Sequence, residues 1–171
     1  MAADAPAPLD ASVARTWSWT IDPEFLTSDA SVVGLLADRT PPAVLVRADD
    51  PAMLGLAGSE AEFLLFELLG DGDKRLVGRV ATSSLVEASI TAATDGALVL
   101  CFGHIDTARV VGAGGEAVEV HVRGDGISGS VVRFQGDRPV ESVTLPVDGL
   151  VGVNACRTLA DGTLVVAGLV V

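Results

Sequence analysis

The sequence predicts a mainly β protein, an antiparallel β-sandwich with one or two short helices near the N-terminus. Val, Ala and Leu account for 25, 24 and 20 of the 171 residues, and Val favours strands because its branched Cβ fits a pleated surface. Apolar and polar residues alternate over much of the chain from residue 85 onward, as they do in half-buried strands. Asp-Gly pairs separate these stretches and supply the backbone conformation that tight hairpin turns need.

The chain divides into three predicted parts. Residues 1–14 are rich in Ala, Pro and Asp and are expected to form a flexible arm. Residues 15–60 form an N-terminal segment, in which 16–21 alternate as a short strand. Asp22-Pro23 starts a helix, and the spacing of the apolar residues between 32 and 36 predicts helix up to Arg39. Residues 61–171 form the sandwich.

The sandwich region is predicted to contain about nine strands. Phe63 to Leu69 is an apolar run interrupted only by Glu67 and suits a strand buried on both faces, although Ser59 and Glu62 also fit a helix-capping box. The Gly and Asp residues that follow the run favour a hairpin with Leu76–Val80. A weak repeat relates residues 94–100 to residues 160–166, and we interpret it as two hairpins with the same turn chemistry.

The charge balance excludes several classes of partner. The chain has 23 acidic and 11 basic residues and a net charge of -12, and Lys74 is its only lysine. Nucleic acids and anionic membranes bind clustered Lys and Arg, so we predict neither as a partner. No apolar run is long enough to cross a bilayer. The start of the chain lacks the pattern of a signal peptide, so the expected compartment is the cytoplasm. The preference for Arg over Lys, together with much Ala, Val, Gly and Asp, indicates a bacterium with a GC-rich genome.

The residues that could carry chemistry are few. Cys101-x-x-His104 is the only close pair of zinc-type ligands, Asp71-Gly72-Asp73 lacks the rest of a calcium loop, and we predict no metal and no cofactor. Gly126-Ile127-Ser128-Gly129 has the wrong spacing for a nucleophile elbow. A pair of Cys156 with His121 stays open, but the overall prediction is a protein that is not an enzyme.

The two cysteines are expected to be reduced core residues in the cytoplasm. Pairing of Cys101 with Cys156 would be possible if the protein were exported.

The predicted partner-binding residues lie in the N-terminal part of the chain. Residues 48–73 hold seven acids and no base, whereas a merely solvated face normally mixes both signs. The two tryptophans of the predicted N-terminal strand either fill part of the hydrophobic core or are exposed and bind a partner. The candidate residues are Trp17, Trp19, Asp49, Asp50, Glu60 and Glu62.

Three segments between residues 126 and 171 resemble the carboxypeptidase-regulatory-like family. They are Gly126–Val132, the Gly136-Asp137-Arg138-Pro139-Val140 turn, and Thr158–Leu164, where Leu164 replaces the family's aromatic residue. The resemblance implies an immunoglobulin- or transthyretin-like β-sandwich that acts as a non-catalytic accessory module. Residues 153–168 are also similar to a segment of a WD-type propeller blade, but four blades would need nearly the whole chain.

These observations predict a non-catalytic interaction or regulatory module. Its expected partner is another protein with a basic surface, because an acidic face steers toward opposite charge, and homo-oligomers are possible. Two alternatives stay open: a structural or assembly subunit of a shell or phage type, and a small enzyme with a pocket around His104 or His121.

Overall fold

The computed structural model describes residues 30–48, 62–70, 73–81, 85–123, 127–147 and 150–170. They form twelve strands: β1 (Ala30–Leu36), β2 (Ala43–Ala48), β3 (Glu62–Leu68), β4 (Lys74–Ala81), β5 (Leu85–Ala92), β6 (Leu98–His104), β7 (Ala108–Gly112), β8 (Ala117–Val120), β9 (Ser128–Gln135), β10 (Arg138–Thr144), β11 (Leu150–Thr158) and β12 (Leu164–Val170). The prediction of a mainly β protein is confirmed. No helix occurs among the described residues, and so none there is long and apolar enough to cross a membrane.

The strands form three antiparallel sheets. The six-stranded sheet has the order β1-β2-β3-β4-β7-β8, and the four-stranded sheet has the order β10-β9-β6-β5. Strands β11 and β12 pair with each other as a separate C-terminal hairpin. After β4 the chain leaves the six-stranded sheet to form β5 and β6, returns for β7 and β8, and then adds β9 and β10 to the four-stranded sheet. Each of the two larger sheets is therefore assembled from segments that are not contiguous in sequence.

The main core lies between the two larger sheets. Because side chains alternate along a strand, Phe63 and Leu65 of β3 point into this core, whereas Leu64 points to the opposite face. In the four-stranded sheet, Phe102 and Phe134 are completely buried in the same core.

Strands β2, β3 and β6 are buried on both faces, as predicted for the run that became β3. The outer side chains of β2 and β3 form a second buried cluster on the far side of the six-stranded sheet, and the partly buried Leu76 of β4 packs against it. All seven residues of β6 are buried, because its outer face lies under the C-terminal hairpin. The prediction that Phe63–Leu69 starts a hairpin rather than a helix is confirmed, since β3 pairs with β4.

The predicted helix up to Arg39 is wrong for residues 30–36, which form β1. The pairing of β1 with β2 shifts register between Val32 and Gly34. A β-bulge of this kind breaks strict alternation, so apolar residues stand next to each other at a spacing that imitates a helix. The predicted helix start at Pro23, the 16–21 strand and the 1–14 arm lie outside the described residues.

The predicted boundary at residue 60 falls between two neighbouring strands of one sheet. Strand β2 pairs with β3 along its whole length, from Ala43 opposite Glu67 to Ala48 opposite Glu62. Residues 30–48 therefore belong to the six-stranded sheet together with β3 and β4.

The weak sequence repeat corresponds to two hairpin turns of the same type. Asp95 accepts a hydrogen bond from the Ala97 amide at 3.2 Å, and Asp161 accepts one from the Thr163 amide at 2.9 Å. The next residue in each turn is a glycine with positive φ, +83° at Gly96 and +86° at Gly162. The Asp-Gly pairs at 71, 125 and 148 lie outside the described residues.

Two glycines allow the larger sheets to approach closely. Gly78 of β4 stands opposite Gly112 of β7 in the six-stranded sheet. A Cβ on Gly78 would collide with the Phe134 ring and would lie 2.9 Å from the Val111 carbonyl oxygen. The missing side chain therefore leaves the space that Phe134 occupies.

We expect Gly78→Ala to lower the free energy of unfolding by about 1–3 kcal/mol, because Phe134 would have to leave its position against β4. Gly70→Ala is the matched control, since a Cβ there meets nothing within 4 Å, and its effect should stay within about 0.5 kcal/mol. Urea unfolding of the two variants measures the difference. Equal stabilities would contradict the close approach at Gly78.

Candidate functional site

The residues predicted to bind a partner fall mostly outside the described part of the chain. Trp17, Trp19, Asp49, Asp50 and Glu60 are not described, so the structure neither brings them together nor separates them. Glu62 is the first residue of β3, where its backbone pairs with Ala48 and Ala81. The candidate site that the structure does describe lies elsewhere, at the C-terminal hairpin.

The C-terminal hairpin docks on the outer face of the four-stranded sheet through both polar and apolar contacts. The amides of Cys156 and Thr158 in β11 donate to the hydroxyl oxygens of Ser89 and Thr91 in β5, each at 3.1 Å. Apolar side chains from the two sheets form a small cluster beside these bonds: Val99, Cys101, Val131, Val153, Cys156, Leu164 and Val166, with Ala93. The free edge of β11 is thus satisfied by side chains of β5.

An open groove of about 340 Å³ lies between the hairpin and strands β9 and β10. Val99 and Val131 of the four-stranded sheet line it, together with Val143 and Leu145 from the β10 side and Leu164 of β12. This volume is near the lower end of the roughly 300–1,000 Å³ that is usual for ligand pockets. The groove therefore has room for one or two apolar side chains of a partner.

Two charged residues, Arg133 and Glu141, stand within the mainly apolar lining of the groove. Arg133 of β9 forms an ion pair with Asp95, and its Nη1 lies 3.9 Å from a carboxylate oxygen of Glu141. The Ala97 amide and Arg133 together hold the pKa of Asp95 below its usual value, so Asp95 is ionised at neutral pH. The Nε of Arg133 is buried without a hydrogen-bond partner among the described residues.

Strand β12 has an open edge beside this groove. Among the described strands it pairs only with β11. Leu164 and Val166 stand opposite Thr158 and Cys156, whose amides point away from the hairpin toward β5. These are therefore non-hydrogen-bonded pairs of the antiparallel ladder. In such a pair, both residues direct their amides away from the partner strand. The amides of Leu164 and Val166 therefore point toward the open side of β12.

Three other edge strands of the described sheets, β8, β10 and β1, carry features that discourage pairing with a further strand. Strand β8 is only four residues long and contains Glu119, β10 contains Pro139 and Glu141, and β1 carries the bulge between Val32 and Gly34. Short length, charge, proline and bulges are the usual protections of edge strands. Strand β12 has no charged residue and no proline, and its Leu169 is 60% exposed.

A buried histidine and serine form a second polar site, at the crossing from β6 to β7. His104 Nδ1 lies 2.6 Å from the Asp106 carbonyl oxygen and its Nε2 lies 2.8 Å from the Ser130 hydroxyl. Because a carbonyl only accepts, Nδ1 carries the proton and Nε2 accepts from Ser130 in the neutral ring. This is the orientation of a serine with its general base, but both side chains are completely buried, so a substrate has no access to Ser130 here.

Cys101 and His104, the one close pair of zinc-type ligands in the sequence, point to different faces of β6. Cys101 points to the outer face of β6, while His104 points to the inner face with Phe102. His121 is exposed and its Nδ1 lies 3.3 Å from the Thr107 hydroxyl. Among the described residues, no three His, Cys, Asp or Glu side chains are grouped so that they could hold a metal ion; Asp71 and Gly72 are outside that part.

A buried carboxylate, Glu67, lies near the end of β3 in the six-stranded sheet. Glu67 of β3 accepts a hydrogen bond from Arg39 at 2.9 Å and pairs through its other oxygen with Arg75. Burial raises the pKa of Glu67, but the hydrogen bonds from Arg75 and Arg39 outweigh burial and lower it overall. This ion pair ties the β1–β2 connection to β3 and β4 and has a structural role.

Sequence reasoning missed the groove, because its lining comes from residues far apart in the chain. One signal was available, because Arg133 is the only charged residue of strand β9. Comparisons with protein-family models, curated proteins and solved structures found no match.

We expect protonation of His104 to destabilise the fold, because burial lowers its pKa in the folded state. The stability is complete above the unfolded pKa of about 6.5 and is lost as the pH falls from there toward the folded pKa, with a slope of up to about 1.4 kcal/mol per pH unit. Urea unfolding at pH 7.5, 6.5 and 5.5 measures this. The slope should diminish in His104→Gln and persist in His121→Gln, which alters an exposed histidine; identical slopes in both variants would contradict the assignment.

Proposed function

We propose that the protein is a non-catalytic interaction module that binds an extended apolar segment of another protein at β12. The observation that carries the proposal is the open, uncharged edge of β12 next to an apolar groove. A peptide that adds to a sheet edge gains affinity from main-chain hydrogen bonds, and pockets for its alternate side chains give specificity. The unpaired edge of β12 and the adjacent groove would supply the main-chain hydrogen bonds and the side-chain pocket, respectively.

The binding mode follows from the directions of the donors. The outward amides of Leu164 and Val166 would donate to carbonyl oxygens of the added strand. Leu164 lines the groove, so an apolar side chain of the added strand next to it would enter the same space.

The proposal also covers the charge of the partner, the type of sandwich and the cellular compartment. The net charge of -12 supports a partner with a basic surface, and we propose that Asp49, Asp50, Glu60 and Glu62 steer it. We further propose that the antiparallel sandwich is of the immunoglobulin or transthyretin-like kind and that the protein works in the bacterial cytoplasm. The resemblance of residues 126–171 to accessory modules supports this description.

A second candidate function is self-assembly through the same edge. Two copies of β12 could pair antiparallel about a two-fold axis, because the strand carries no charge that would repel its copy. Sedimentation velocity distinguishes this candidate. A dimer that dissociates on substitution of Val165 and Leu169 by Lys would favour it, and a monomer at all concentrations would exclude it.

Random peptides displayed on phage test the strand-addition proposal. We expect selection of peptides with alternating apolar residues, whose binding slows hydrogen exchange at the amides of Leu164 and Val166. A synthetic copy of a selected peptide is then used to measure affinity. The double variant Val165→Lys with Leu169→Lys should bind this peptide at least about tenfold more weakly than the wild type, since charge on an edge strand opposes pairing.

The matched control for this test is Val32→Lys with Leu35→Lys on the other uncharged edge strand. These side chains are 53% and 59% exposed, compared with 46% and 60% for Val165 and Leu169. The control should bind within about twofold of the wild type, because surface substitutions away from a site have small effects. Equal losses in both variants, or no loss in the β12 variant, would contradict the proposal.

The acidic stretch gives a separate prediction about rates. A selected peptide extended with lysines should associate more slowly as salt rises, because the Debye length falls from about 10 Å at 0.1 M to about 3 Å at 1 M. Changing Asp49 and Asp50 to Asn and Glu60 and Glu62 to Gln should slow association at low salt. Stopped-flow fluorescence measures the rate. An unchanged rate across the salt range would show that these acids serve solubility alone.

A further inference from the structure

The two cysteines of the chain meet at the docking surface of the C-terminal hairpin. Cys101 on the outer face of β6 is completely buried, and Cys156 of β11 is half-buried and packs in the same cluster. Ser89 connects them geometrically. Its backbone pairs with Cys101 across β5 and β6, and its hydroxyl oxygen accepts the Cys156 amide at 3.1 Å. Residues 55 positions apart are therefore neighbours, and both thiols are free.

We propose that Cys101 and Cys156 form a peroxide-responsive pair, with Cys156 as the attacking thiol and Cys101 as the resolving thiol. The resulting disulfide would join β6 to β11 and fix the C-terminal hairpin on the four-stranded sheet. The class of co-reactant is a hydroperoxide, with hydrogen peroxide as the simplest member. This is a modification site, and it does not depend on the function proposed for β12.

The division of roles follows from access and hydrogen bonding. Cys156 is the more accessible sulfur, and hydrogen bonds from the Cys101 thiol and then from the Ser89 hydroxyl lower its pKa, although burial opposes them. The same contact with Cys156, together with burial, raises the pKa of Cys101. A thiolate is the nucleophile toward peroxide, so the first proton is lost from Cys156.

The chemistry balances in two steps. The Cys156 thiolate attacks one oxygen of hydrogen peroxide, the O–O bond breaks, and a sulfenic acid and hydroxide form. Cys101 then attacks the sulfenic sulfur, the S–O bond breaks, and the hydroxyl leaves as water with the proton from Cys101. In sum, two thiols are oxidised to one disulfide, and one peroxide is reduced to two waters.

Treatment of the full chain with hydrogen peroxide tests the pair. We expect the intact mass to fall by about 2 Da and the free thiols of the denatured chain to fall from two to none. A peptide containing Cys101 linked to Cys156 should appear in a non-reducing digest, and dithiothreitol should restore both thiols. The melting temperature of the oxidised form should rise by at least about 5 °C, because the disulfide restricts the unfolded chain.

Single variants separate the two roles. Cys101→Ser should leave Cys156 to gain oxygen without a disulfide, whereas Cys156→Ser should leave the buried Cys101 unreactive over the same time. Cys101→Ala replaces Cys101→Ser if the buried hydroxyl prevents folding. The wild-type mass change is measured independently of any variant.

Removal of single hydroxyl groups provides the matched comparison. Ser89→Ala should slow the peroxide reaction at least about threefold, because it removes a donor to the Cys156 sulfur. Thr91→Val also removes a hydroxyl that accepts a hydrogen bond from a β11 amide. Because this bond comes from Thr158 and not from Cys156, the rate of the peroxide reaction should stay unchanged. The proposal fails if the wild type retains both thiols, if a dimer linked between chains is the product, or if Cys156→Ser reacts as fast as the wild type.

Discussion

Burial of β6 on both faces is the constraint on which the rest of the structure depends. A strand with apolar side chains on both faces needs a packed layer on each side. If one face stayed in water, the fold would lose the free energy that burial of those side chains contributes. The six-stranded sheet covers the inner face through Phe63 and Val110. The C-terminal hairpin covers the outer face over Val99 and Cys101. Buried hydrogen bonds of His104 satisfy the polar end of the strand.

The same constraint creates the candidate binding site. The hairpin has two edges, and its docking on the four-stranded sheet directs the free edge of β11 toward Ser89 and Thr91. The edge of β12 then has no described strand to pair with. Because the hairpin covers the β5 and β6 part of the sheet more fully than the β9 and β10 part, an apolar groove stays open where Val143 is about half exposed. Core coverage and binding surface thus arise from one packing arrangement.

Local patterns in the sequence predict most of the strands, but they do not predict how the strands come together. Strand β3 and the Asp95-Gly96 turn are predictable, because an apolar run and a turn pair act within a few residues. Strand β1 is not, since the bulge at Val32 and Gly34 makes its apolar residues follow a helical spacing. The groove depends on contacts between β9, β10 and β12, and no periodicity within one strand reports which face another hairpin will cover.

The hairpin docking has a consequence for the order in which the molecule opens. The pairing of β11 with β12 is local in sequence, whereas Cys156 and Thr158 each bond to a residue 67 positions earlier in the chain. Local hairpins form before contacts that close long loops, and proteins open in cooperative units that often coincide with supersecondary motifs. We expect the C-terminal hairpin to be such a unit, because its own ladder is local in sequence and its docking on β5 is not. In native-state hydrogen exchange, its docking contacts would form a distinct class from the amides of the central strands.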